Sequence, residues 1–188
     1  MPRMVRFLAL AVVLVLSLGA PAVQAADLEN TLYLDLPAGR VVIELRPDLA
    51  PVTVARIKEL TRAHFYDGLK FHRVIEGFMA QTGDPHGDGS GGSGKNLKAE
   101  FSSARFVRGT LGMARAANDP DSADSQFFIC MAPALFLDGK YTAFGQVVSG
   151  MEYVDALKRG DKDHDGAVTN PDKIVRMQVA ADADKAGH

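Results

Sequence analysis

From Leu32 to Val179 the chain is cut into short runs rich in β-branched and aromatic residues, each stopped by Gly, Pro, Asp or Asn. That punctuation limits the fold more than any other feature, because strands so short must pair through tight turns with near neighbours. Leu32–Leu36, the turn Pro37-Ala38-Gly39 and the alternating Arg40–Leu45 read as an opening hairpin. Further strands are expected at Gly109–Ala116, Ser125–Ile129, Thr142–Val148 and Lys173–Val179. Only two segments repeat apolar residues at helical spacing: Val54, Ile57, Leu60 and Thr61 behind the prolines Pro47 and Pro51, and Met151, Val154 and Leu157 within Gly150–Arg159. Many strands and two helices imply an all-β barrel or sandwich with helices over its ends.

The first residues do not fit this pattern. Arg3 and Arg6 precede an apolar stretch, Phe7–Leu18, and small residues at Val23-Gln24-Ala25 follow Pro21. This is the layout of an export signal, with cleavage expected after Ala25. An uncleaved anchor is the alternative, but about 12 apolar residues fall short of the roughly 20 that span a bilayer. The expected division is a signal peptide at 1–25, one domain at 26–180 and a polar tail at 181–188, in a periplasmic or secreted protein. Without the leader, 19 basic face 23 acidic side chains, a net charge of −4. That balance gives no reason to expect a nucleic-acid partner or an anionic membrane surface. Cys130 is the single cysteine. No internal disulfide can form, so packing must stabilise the fold, and the apolar run around Cys130 suits an inert core thiol.

The stretch Phe71–Asp84 is the chemical centre. In an extended strand Arg73 shares a face with Phe71 and Ile75, an apolar setting for a permanent cation. If the break at Gly77 flips the faces, Phe78, Met79 and Gln81 join Arg73 around one apolar patch with two polar fingers. Such a patch suits a ligand that is greasy on one side and carries an amide on the other. An edge strand whose Arg73 reaches solvent over its apolar stem is the plainer reading.

Other motifs weigh less. Gly89–Lys95 matches the core of a phosphate loop, but Asn96 stands where a magnesium-binding Ser or Thr belongs, and no helix pattern follows. There is no G-x-S-x-G elbow. Asp161-Lys162-Asp163-His164-Asp165-Gly166 copies the start of a calcium loop, yet its twelfth position is Asp172 rather than Glu and a strand follows. A solvated acidic turn is the alternative there.

Taken together, Phe71-His72-Arg73-Val74, Gly77–Gln81, Gly83-Asp84, Ser125–Ile129, Phe136–Gly139 and Phe144-Gly145 resemble a cyclophilin, the prolyl cis/trans isomerase family. The resemblance runs from about Leu32 to Val179. It implies a closed eight-stranded antiparallel β-barrel capped by two α-helices, no cofactor and no metal, a monomer, and proline-containing polypeptides as partners. It makes Arg73 the catalytic residue. Phe78, Met79, Phe128, Phe136, Leu137 and Tyr141 would form the proline pocket, Gln81 and Gln126 its polar contacts, and Ala114 and Arg115 the groove for preceding residues. Many eukaryotic members carry Trp where this chain has Phe136 and His where it has Tyr141, so cyclosporin binding is expected to be weak. Arg115 replaces a common Asn, which leaves its backbone rather than its side chain for substrate.

The chemistry suits such a site. Rotation about an X-Pro bond meets a barrier of roughly 20 kcal/mol because the nitrogen lone pair is delocalised into the carbonyl. When the bond twists the lone pair localises and becomes an acceptor, so a fixed guanidinium binds the twisted state better than the planar one. A module that merely holds proline segments, as a chaperone does, is the alternative use of the same groove.

Overall fold

The computed structural model describes residues 27–183; the expected signal peptide and residues 184–188 lie outside them. The opening hairpin forms as its alternation requires: β1 (Thr31–Leu36) pairs antiparallel with β2 (Gly39–Leu45), placing Leu32 opposite Ile43 and Leu34 opposite Val41. All four of these side chains are fully buried. Helix α1 (Pro51–Arg62) starts on its proline and buries Thr53, Val54, Ile57, Leu60 and Thr61. Ala50 cannot cap it, so the Glu100 carboxylate accepts the Val52 and Thr53 N–H groups at 3.0 and 2.8 Å.

The remaining strands are β3 (Arg73–Ile75), β4 (Met79–Thr82), β5 (Thr110–Met113), β6 (Phe127–Cys130), β7 (Ala143–Ser149) and β8 (Arg176–Val179). All eight join one antiparallel sheet in the order β3-β4-β6-β5-β7-β2-β1-β8. The sheet curls into a half-barrel, and the closed barrel implied by the resemblance does not form. Its edge strands β3 and β8 share no ladder. Segments 68–71 and 172–174 cross the gap through Gly68 N–H to Ile174 O, Ile174 N–H to Leu69 O and Phe71 N–H to Asp172 O. The ladder cannot run on, because Asn170 takes φ +51° and Pro171 has no N–H to donate.

The helices also differ from expectation. Helix α2 stops at Met151–Asp155, short of Arg159, since Lys158 N–H turns away to the Asp172 carboxylate at 2.9 Å. The chain beyond β8 is no frayed tail at first: α3 (Ala180–Ala183) buries Ala180 and ties Asp182 to Arg62 of α1 at 2.8 Å. There are thus three α-helices rather than two among the described residues. None is long and apolar enough to cross a membrane.

Two apolar clusters lie on opposite faces of the sheet. The larger fills the half-barrel with residues such as Leu34, Ile43, Val74, Leu111, Phe127, Ile129 and Met177. The smaller, Met79, Phe106, Phe128, Cys130, Ala134, Leu137 and Ala143, packs on the outer face.

Candidate active site

Sheet register assembles the site on that outer face. Arg73 of β3 lies opposite Gln81 of β4, Gln81 opposite Phe128 of β6, and Phe128 opposite Gly112 of β5. A second row aligns Ile75, Met79 and Cys130. Because strand residues alternate between faces, Val74, Ala80 and Ile129 point into the half-barrel instead. The turn at Gly77, with φ +72°, therefore returns the chain as a hairpin and puts Met79 and Gln81 beside Arg73. Gly112 is bare for a reason: a Cβ there would stand 2.4 Å from Phe128 Cζ and 2.6 Å from Phe106 Cε1.

Around these rows lies an open cleft of about 520 Å³. Met79, Phe128 and Leu137 are almost wholly buried and make its floor. Phe106 backs Phe128 with ring centroids 5.9 Å apart, and Tyr141 meets Phe128 edge-on at 6.0 Å. Phe78 and Phe136 touch at 5.4 Å on the rim, where Phe136 stays 63% exposed. The loop carrying Leu137 is held by Phe106 N–H to the Asp138 carboxylate and Ala134 N–H to Phe106 O, both 2.8 Å. Arg115 does not reach into the cleft with a free hand. Its guanidinium lies over the Tyr141 ring at 4.4 Å and donates to the carbonyls of Lys140 and Ala116.

The polar side of the cleft is a directed chain. Arg73 Nη1 donates to Gln81 Oε1 at 3.2 Å, Gln81 Nε2 to Gln126 Oε1 at 2.9 Å, and Gln126 Nε2 to the carbonyls of Gly89 and Gly91. Arginine can only donate, which sets the orientation of both amides. A second basin of about 400 Å³ continues past Gln81, Ala114 and Arg115 toward Gln126 and Asp124. Every residue expected in the pocket or groove lines one of these two spaces.

Residues missed by sequence reasoning are Asp165, Phe106 and Gly112. Asp165 grips Arg73: Nη2 donates to Oδ1 at 2.8 Å, and Nε to Oδ2 at 3.1 Å and to the backbone oxygen at 2.9 Å. Its only sequence signal was the calcium-like run, and those carboxylates do not converge. Asp161 accepts from Asp163 N–H and faces His164, while Asp172 accepts from Lys158 N–H. The glycine-rich loop is likewise filled from within, since Asp124 accepts N–H groups of Ser93, Gly94 and Lys95, where a phosphate would need them.

Asp84, His86 and Asp88 bring ligand atoms within 4.8 Å of one another. Asp84 there serves as a turn clasp, accepting the N–H groups of His86, Asp88 and Gly89. The Cys130 thiol, buried and near Asp138, is pushed up to about 12 by desolvation first and that charge second. It stays protonated and unreactive near neutrality.

The model of the family "Cyclophilin type peptidyl-prolyl cis-trans isomerase/CLD" matches residues 31–179. A "Probable peptidyl-prolyl cis-trans isomerase" of Brucella suis biovar 1 (strain 1330) is 53% identical over 93% of this chain and 95% of its own length. "Peptidyl-prolyl cis-trans isomerase B" of Bacillus subtilis (strain 168) is 44% identical over 65% of this chain and 85% of its own. A Cryptosporidium parvum cyclophilin type isomerase, solved in the presence of the dipeptide Ala-Pro, superposes with a TM-score of 0.73 at 28% identity, covering 79% of this chain and 98% of that one. With the extent of the family match and the level of identity to its relatives, the chain belongs to the cyclophilin family and is a peptidyl-prolyl cis-trans isomerase.

Proposed function

We propose that Arg73 is the catalytic group and that the enzyme turns X-Pro bonds in exported polypeptides. The observation that carries the reading is the accounting of donors on Arg73. Of the five N–H groups of a guanidinium, Asp165 takes those on Nε and one side of Nη2, and Gln81 takes one on Nη1. Among the described residues each terminal nitrogen keeps one N–H, with only a 4.0 Å approach of Nη1 to Met79 Sδ nearby. These sit beside the apolar floor made by Met79, Phe128 and Leu137. In the planar ground state the proline nitrogen offers no lone pair; in the twisted state it does, and Arg73 then gains a hydrogen bond. The bond is strengthened because its surroundings, Met79, Phe128 and Leu137, exclude water. The Ala114–Gln126 basin would hold the chain before proline, so one side of the bond rotates and the other does not.

The leader at 1–25 supports a periplasmic or secreted enzyme that acts on exported polypeptides. Phe136 in place of a tryptophan supports weak cyclosporin binding. The test of catalysis is turnover of a cis-proline peptide. Arg73→Ala should lower kcat/KM about a hundredfold, which is the scale of losing one preorganised donor. A folded Arg73→Ala enzyme with wild-type turnover would refute the role. If aggregation protection survives that substitution while turnover is lost, a holding activity coexists with isomerisation. Export is tested by the mass of the protein from a periplasmic or culture fraction, which should begin at Ala26.

A further inference from the structure

We infer that Asp165 is a positioning residue for the isomerase reaction, holding the Arg73 guanidinium in the orientation that leaves its last two N–H groups facing the cleft. The inference rests on the role proposed for Arg73. The two residues are 92 positions apart, and the loop bearing Asp165 is tied to β3 along its free edge. Val74 N–H bonds Gly166 O at 2.9 Å, Gly160 N–H bonds Val74 O at 2.8 Å, and Val168 N–H bonds His72 O at 3.0 Å. Arg73 also bridges Ala167. The segment thus acts as an extra strand on β3, opposite β4, and carries its carboxylate to the side of Arg73 away from Gln81.

Two close approaches set this geometry. A Cβ on Gly166 would stand 2.4 Å from Ile75 Cγ1, and one on Gly160 would strike the Gly166 carbonyl. Asp165 itself sits in the left-handed region at φ +51°, ψ +31°, a conformation that Asp and Asn tolerate better than most residues. Asp161 is not placed to replace it, since its carboxylate is turned to Asp163 N–H and His164.

The physical effect is preorganisation. Arginine has a long side chain, and only 29% of that of Arg73 is exposed, yet without the Asp165 carboxylate its polar tethers among the described residues are Gln81 on Nη1 and the backbone oxygen of residue 165 on Nε, and nothing holds Nη2. A two-point grip on the Nε–Nη2 edge fixes the plane of the fork as well as its place. The Asp165 side chain is 80% exposed, so screening leaves its charge little influence on the barrel's stability, and its value lies in geometry. Because the oriented N–H groups act on the twisted state, losing the grip should lower kcat while leaving KM nearly unchanged.

The variants are Asp165→Gly, which removes the carboxylate but accepts φ +51° without strain, and Asp165→Asn, which keeps one acceptor oxygen. Turnover of a cis-proline peptide is measured together with the Arg73 Nη2–H resonances by NMR. Asp165→Gly should lower kcat three- to tenfold with KM within twofold, and should return the Nη2 signal to the position of a free arginine while Nε–H keeps its bond to the backbone oxygen. Asp165→Asn should recover part of both. An unchanged or raised kcat in Asp165→Gly overturns the inference, a rise meaning that the carboxylate competes with the peptide. So does a fall accompanied by an unmoved Nη2 signal, which would mark a loop effect. Arg73→Ala in the same assay separates the two ideas: if it loses turnover while Asp165→Gly does not, only the positioning role fails.

Discussion

Replacing Gly112 by alanine tests the floor of the site from underneath, without touching a residue that meets substrate. The backbone permits it, because Gly112 is outside the positive-φ glycines. Alanine there would, on chain entropy alone, stabilise the fold by about 0.4–1 kcal/mol. The added methyl would however lie 2.4 Å from Phe128 Cζ and 2.6 Å from Phe106 Cε1, and ordinary contact begins near 3.4 Å. The Phe128 ring must retreat by about 1 Å, against Phe106, which is fully buried, and Tyr141. Overpacking of this kind costs about 1–3 kcal/mol, so the net effect is about 1–2 kcal/mol of lost stability. For a domain of this size that lowers Tm by roughly 2–8 °C. A 1 Å shift of the floor misplaces the proline relative to Arg73, and kcat/KM should fall at least tenfold. Calorimetry and the cis-proline peptide assay read both. Wild-type Tm with kcat/KM within twofold would show that the ring is not pinned and that register does not build the pocket as described.

Two further outcomes are expected. His72 is buried, and among the described residues neither ring nitrogen has a hydrogen-bond partner. Burial lowers its pKa from the usual 6.5, against the raising effect of Asp84. The unfolded chain therefore takes up this proton first, so stability is full above about pH 6.5 and declines as pH falls from there toward the folded pKa. Melting curves between pH 7.5 and 5 should show the decline, and His72→Phe should flatten it; an equal slope in the variant assigns the effect elsewhere. Cys130 should resist thiol reagents at neutral pH until denaturant is added. Rapid labelling of the folded enzyme would contradict its burial.

Sequence alone indicated that Ile75, Met79 and Gln81 can share a face with Arg73, because strand periodicity is local; Phe71, expected on that face, instead packs in the inner cluster, since regular strand begins only at Arg73. The alternation around Arg73 and the break at Gly77 put Met79 and Gln81 on one face, and the structure has them in adjacent rows. The helix start at Pro51 and the opening hairpin were legible for the same reason. Only the tertiary structure decided how the sheet ends. The sheet stays an open half-barrel because β3 and β8 share no ladder, and only segments 68–71 and 172–174, about 100 positions apart, cross between them. The tertiary structure alone also brought Asp165 to Arg73 across 92 positions and set Gly112 against Phe128. A sequence pattern records which way a side chain points from its own backbone. What stands in front of it depends on how distant strands are brought together, and that is set by packing over the whole chain.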